Sequence, residues 1–191
     1  MKSIIVLGAS GNIARHVTDI LVKEDNIKLT LFLRNRRRLG KADVSGCNII
    51  EGDVLNYRQL RDAISGQDIV YANLAGDLET MAKNIVKAMD ETGVRKLIFI
   101  SSIGIYAVPL RSVLIPYRKA ADVIEASDLD YTILRPTWFT NVNEVDYELT
   151  SKGEPEKGSV ISQKSLATFI TKIIESPEKY ARENLGINKP D

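Results

Sequence analysis

The sequence predicts an α/β fold, a doubly wound parallel sheet with helices on both faces, carried in one domain. Short apolar runs alternate with amphipathic stretches along most of the 191 residues. Strands that alternate with helices pair in parallel through crossovers. The runs are nearly continuous in apolar residues, as in Leu97-Ile98-Phe99-Ile100, which suits strands covered on both faces. A glycine-rich turn lies between the first run and the first amphipathic stretch.

The elements follow in order. Ile4 to Leu7 reads as a buried strand, broken by Gly8-Ala9-Ser10-Gly11. Ile13, Val17, Ile20 and Leu21 then recur at helical spacing. Leu29 to Leu33 is a second strand and Asn48 to Ile50 a shorter third; Asn56 to Ile64 is a short helix. Asp68 to Tyr71 is the fourth strand, and Leu78, Met81, Ala82, Ile85 and Met89 mark a helix closed by Gly93. Lys96 to Ile100 is the fifth strand, Tyr117 to Ala126 a helix, and Tyr131 to Leu134 the sixth strand, stopped by Arg135-Pro136. The polar stretch from Asn141 to Gly158 reads as an exposed excursion, and Leu166, Phe169, Ile170, Ile173 and Ile174 as a helix packing back on the sheet. From about residue 137 the chain is expected to form a variable, substrate-side part of the same domain.

Composition removes several classes of function. Lys and Arg number 26 against 25 Asp and Glu, a net charge of +1. Such a balance provides no general attraction to nucleic acid or anionic membrane, and neither is expected as a partner. The single cysteine, Cys47, excludes an intramolecular disulfide framework and a multi-cysteine zinc site, and the single histidine, His16, excludes a poly-histidine metal site. No metal is expected. The run Ile4–Leu7 is too short for a signal segment or a membrane span, and a cytoplasmic location is the expectation.

Gly8-Ala9-Ser10-Gly11-Asn12-Ile13-Ala14 fits G-x-x-G-x-x-A at the first strand-to-helix junction. Gly8 permits the tight turn, Gly11 lets the backbone approach a pyrophosphate, and Ala14 lets the helix lie close to the strand. The helix start supplies free N–H groups and partial positive charge for phosphates. This position points to dinucleotide binding. An NAD-preferring site would place an acid after the second strand to hold the ribose 2′-hydroxyl. Here the sequence is Arg34-Asn35-Arg36-Arg37-Arg38, whose guanidinium groups suit a 2′-phosphate. NADP(H) is therefore expected over NAD(H); a solvated basic turn is the bland alternative. Asp53 either accepts from the adenine amino group or caps the next helix. Leu74-Ala75-Gly76 offers small residues over which a ribose can pass, though Gly76 also suits a plain turn.

Gly8 to Ala14, Gly52-Asp53-Val54, Ser101-Ser102-Ile103-Gly104 and Leu129 to Pro136 together resemble the atypical short-chain dehydrogenases/reductases, and among them the NmrA-like, NAD(P)H-binding branch, with its NADH-flavin reductase and nucleotide-sugar epimerase-like members. The resemblance implies a Rossmann fold and NADP(H) binding. It implies that Gly8, Ser10, Gly11, Asn12 and Ile13 wrap the pyrophosphate and that Arg34, with Arg37 beside it, meets the 2′-phosphate. Asp53 and Val54 would meet the adenine, Leu74, Ala75 and Gly76 the ribose, and Ser101 and Ser102 would lie beside the nicotinamide. Pro136 to Phe139 would cover its carboxamide side, with Thr137 where many relatives have glycine.

One departure bears on mechanism. Short-chain dehydrogenases usually use Tyr-x-x-x-Lys, the lysine lowering the tyrosine pKa; none of the seven tyrosines has a lysine at that spacing. Tyr117 starts the expected helix, but Lys119 is two residues on and faces another way. Tyr117 is either a catalytic group, with Ser102 beside it, or a residue packing on the sheet. Three functions are compatible. The first is a reductase passing hydride from NADPH to a small planar acceptor such as a flavin or quinone, with Tyr106, Trp138 and Phe139 lining the acceptor pocket. The second is a non-catalytic NADP(H)-binding redox sensor. The third is a nucleotide-sugar epimerase or dehydratase, for which the chain after Pro136 is short. A monomer or homodimer is expected.

Overall fold

A computed structural model describes residues 1–42 and 44–190. Its elements run β1 (Lys2–Leu7), α1 (Asn12–Leu21), β2 (Ile27–Leu33), β3 (Asn48–Glu51), α2 (Tyr57–Ile64), β4 (Ile69–Ala72), α3 (Leu78–Thr92) and β5 (Lys96–Ile100). They continue with α4 (Ile115–Glu125), β6 (Asp130–Pro136), β7 (Trp138–Thr140), β8 (Glu148–Ser151), β9 (Val160–Ser162), α5 (Gln163–Glu175) and β10 (Glu183–Asn188). The main sheet has eight strands in the order β3-β2-β1-β4-β5-β6-β10-β8. The six strands β3-β2-β1-β4-β5-β6 are parallel and carry the Rossmann order, and the strand order switches sides at β1, where a crevice opens at the strand ends.

The continuous apolar strands pack on both faces. In β1, Ile4 and Val6 join Val17 and Leu21 of α1 and Leu166, Phe169 and Ile170 of α5 in one core. Ile5 and Leu7 point the other way, to Leu60 of α2, Met81 and Ile85 of α3, and Ala120, Ala121 and Ile124 of α4. Alternation along the pleat thus buries every side chain of the run, and a polar residue on either face would be stranded without water.

Two expectations need correction. The stretch 141–158 is not simply an exposed excursion, because it contains β8, which pairs antiparallel with β10 at the sheet edge. Sequence reading also missed β10. Its Glu-Asn-Leu-Gly-Ile-Asn composition has weak strand propensity, yet Asn184 and Asn188 are buried because their amides find polar partners. Asn184 Nδ2 donates to Tyr106 Oη at 2.7 Å, and Asn188 Nδ2 to Glu148 at 2.9 Å.

Candidate functional site

Four loops converge where β1 to β4 end, around a cleft of about 310 Å³. The first carries Gly8, Ser10 and Gly11. Gly8 adopts φ +79°, and a Cβ there would come within 2.2 Å of the Asn73 carbonyl oxygen. A Cβ on Gly11 would lie 2.5 Å from Asn73 Nδ2. Both glycines are therefore set by the pressure of this loop on the end of β4, as well as by the clearance they leave for a ligand. Side chains cap three helices: Asn56 accepts from Gln59 N at 3.2 Å, Asp77 from Thr80 N at 3.2 Å and Ser162 from Ser165 N at 2.9 Å. The N-cap of α1 is Gly11, with no capping side chain and no acid in the first turn. Its free N–H groups form a ready anion site.

Beyond β2 the backbone makes a 3₁₀ turn over Arg36–Leu39. Arg34 and Arg38 line the cleft. Arg37 is exposed in the turn, its N–H bonded to Asn35 Oδ1 at 2.9 Å, and it is not among the residues that line the cleft. The carboxylate of Glu51, at the end of β3, accepts the Arg36 N–H at 2.7 Å. After β3, Gly52, Asp53 and Val54 line the cleft. Asp53 accepts the Leu55 N–H at 2.9 Å, and the cap of α2 belongs to Asn56. Asn73, Leu74 and Ala75 close the far wall, with Phe32, Leu33 and Met81 below. The glycine loop, Arg34, Asp53, Val54, Leu74 and Ala75 are thus brought together as a group. Asn73, Arg38 and Met81 had no site role in the sequence reading; Asn73 directly precedes Leu74, and Arg38 lies within the arginine run.

Other candidates lie elsewhere. Ile13 is 3% exposed and its side chain packs in the α1 core, so only its backbone faces the loop. Asn12, Gly76, Ser101, Ser102 and Pro136 are not lining residues of the cleft. Ser101 and Ile103 continue the β5 ladder, bonding to the Leu134 and Pro136 carbonyls at 2.7 and 3.0 Å. This leaves Ser101 buried at the strand end beside Ser102, its Oγ without a partner among the described residues.

The three aromatic residues expected to line an acceptor pocket have different surroundings. Trp138 is 73% exposed and Phe139 47% exposed, on the β7–β9 ribbon outside the main sheet. Tyr106 is instead built into a polar network with Glu125 and Asn184, and burial, reinforced by the Glu125 charge, raises its pKa. Tyr117, in the first turn of α4, is partly buried against the core that α2, α3 and α4 share. Lys119 turns from it to Glu79, Nζ to Oε2 at 2.8 Å.

The NAD(P)H-binding family matches residues 8–177. The chain belongs to that family. A solved Rossmann-fold NAD(P)-binding protein from Shigella flexneri is 50% identical to this NAD(P)H-binding protein, with a TM-score of 0.93 over 100% of this chain and 94% of that one. A short-chain dehydrogenase/reductase from Veillonella parvula, solved with NADP, is 28% identical with a TM-score of 0.87 over 99% of this chain and 95% of that one. Among curated proteins, phenylcoumaran benzylic ether reductase PT1 of Pinus taeda is 26% identical over 91% of this chain. Isoflavone reductase of Glycine max is 25% identical over the same share. The chain spans 65% and 66% of the length of these two reductases. Among the described residues no helix is long and apolar enough to cross a membrane.

Proposed function

We propose that this protein is an NADP(H)-dependent oxidoreductase that passes a hydride from NADPH to a small planar acceptor such as a flavin or quinone. One observation carries the cofactor part of this reading. Arg34 and Arg38 border the cleft that begins at the uncapped N-terminus of α1, while the Glu51 carboxylate is engaged by the Arg36 N–H. Two arginines at the cleft suit a 2′-phosphate, and the open helix start suits the pyrophosphate. Asp53 and Val54 would hold the adenine, and Leu74 and Ala75 the ribose. The arginine pattern and the named reductases among the relatives support the same reading.

Bound NADPH supplies the hydride; the chain's task is to hold and orient. Lys119 is paired to Glu79 rather than to Tyr117, and the Tyr106 hydroxyl is engaged with Glu125 and Asn184. An acceptor that takes its proton from water tolerates that arrangement, and most of the rate then comes from positioning. Tyr117→Phe is expected to slow turnover by less than about tenfold, or about 1.4 kcal/mol. A loss of several hundredfold in kcat would instead establish general acid catalysis by Tyr117.

NADPH oxidation against a broad panel of flavins and quinones tests the activity, and calorimetry with NADPH and NADH tests the cofactor. Equal affinity for the two nucleotides would overturn the NADP(H) assignment. A second reading, a non-catalytic NADP(H)-binding regulator, is favoured by the exposure of Trp138 and Phe139. It predicts tight NADPH binding with no turnover across the whole panel.

A further inference from the structure

The guanidinium of Arg135 takes no part in the nucleotide cleft. Arg135 is 1% exposed, near the C-terminal end of β6. A charge so far from water must be matched by hydrogen bonds and an opposite charge. Its Nη1 donates to the Asn184 carbonyl at 2.9 Å and to Asn184 Oδ1 at 2.5 Å, both neutral acceptors. Its Nε donates to Glu156 Oε1 at 2.9 Å, and Glu156 Oε2 accepts the Gly104 N–H at 2.8 Å. One carboxylate thus bridges a buried guanidinium and a backbone N–H, a charge-assisted arrangement suited to carboxylate recognition.

That carboxylate comes from a segment with little else to hold it. The backbone over 153–156 is exposed and outside regular structure. Among the described residues, its hydrogen bonds to the rest of the fold run through the Glu156 side chain, while Glu154 bonds back to Ser151. The segment forms one wall of a cleft of about 460 Å³, with Tyr106, Ala107 and Arg135 opposite. Neighbouring cations have their own partners: Lys152 pairs with Glu125 at 2.7 Å and Arg118 with Asp122 at 2.8 Å. Arg135 is the cation of this cluster whose carboxylate partner can leave with a loop. Gly104, the second donor, lies two residues beyond Ser102 on the loop after β5.

We propose that Arg135 Nε and the Gly104 N–H form an anion seat for a carboxylate of the acceptor, and that Glu156 is the internal carboxylate the acceptor displaces. The proposal rests on the oxidoreductase reading above and gives it a substrate class, planar acceptors that carry a carboxylate. Exchange of one carboxylate for another keeps the Arg135 charge matched at both ends of the process, so no buried cation is left unpaired.

The test uses Glu156→Ala and Glu156→Gln, with benzoate as the probe and benzamide as its neutral control. Glu156→Ala is expected to melt below wild type and to recover with benzoate. It should bind benzoate at least tenfold more tightly than wild type does, because the internal competitor is gone, and benzamide should move neither protein. Should Glu156→Ala fail to fold, Glu156→Gln carries the same comparison, since it keeps the shape and removes the charge. If benzoate binds the folded variants no better than it binds wild type, or no better than benzamide does, Glu156 only anchors the loop and the proposal is overturned. NADPH titration of the same wild-type sample keeps the two readings apart: absence of NADPH binding sinks the oxidoreductase reading, whereas benzoate binding reports on the seat alone.

Discussion

The cleft where β1 to β4 end is shaped mainly by backbone, whereas the cluster around β6 and β10 is built from charged and amide side chains. On the first side Gly8 and Gly11 bring a loop against Asn73, Gly52 comes so close to Phe32 that a Cβ would lie 2.6 Å from its ring, and a helix start is left uncapped. On the second side Arg135, Glu156, Glu125, Lys152 and Asn184 meet from β6, α4, β10 and the chain after β8, through ion pairs and amide bonds. Backbone recognition demands a fixed chain path and leaves little freedom to vary. Side-chain recognition demands only that the right groups arrive at one place, so it can be altered without rebuilding the sheet. On the proposed function, the molecule pairs a rigid nucleotide half with an adaptable acceptor half.

Substitutions can break this contrast, and the largest effect is expected at its rigid end. Gly8→Ala combines a positive φ with a Cβ against the Asn73 carbonyl, an expected loss of about 2–5 kcal/mol from the backbone penalty and overpacking together. Chemical denaturation measures it; a near-neutral change would show that the loop relaxes and is less rigid than its geometry implies. Arg135→Met follows. Removing one partner of a buried pair is costly, and because Glu156 can swing to water the expected loss is about 3 kcal/mol, the low end for such pairs. The same variant should bind NADPH with wild-type affinity, since Arg135 does not line the nucleotide cleft, and a large loss of NADPH affinity would mean that the two halves are coupled.

Arg34→Ala sharpens the comparison within the nucleotide half. It is expected to weaken NADPH by about 1.5–3 kcal/mol, one charge-assisted bond, and to leave NADH nearly unchanged by calorimetry. The smallest effect belongs to Glu79, which ties α3 to α4 away from both clefts. Its hydrogen bond to Lys119, with help from Lys83, lowers its carboxyl pKa from 4.5 to about 2. A depressed folded-state pKa stabilises above the unfolded value and loses that stabilisation as pH falls through the folded one. The Tm gap between wild type and Glu79→Gln should therefore be small but constant above pH 4.5 and close as pH falls toward 2. A gap that persists at pH 2 would assign the effect to packing rather than charge.

The sequence alone determined the alternation of strands and helices through β6, because periodicity and punctuation are local properties. It also determined the glycine loop at its junction, the arginines after β2 and the absence of a Tyr-x-x-x-Lys pair, since each lies within a few consecutive residues. Only the tertiary structure decided that β8 and β10 extend the sheet, because weak strand formers such as Glu183-Asn184 are held there by bonds to residues far away in the chain. It alone set Trp138 and Phe139 on an exposed ribbon and Tyr106 in a polar network, and it brought Arg38 to the cleft beside Arg34. Arg135 and Glu156 were illegible as a pair for the same reason. Nothing in either local sequence encodes a partner that lies across a different loop, and only the fold brings a buried charge to the one carboxylate that neutralises it.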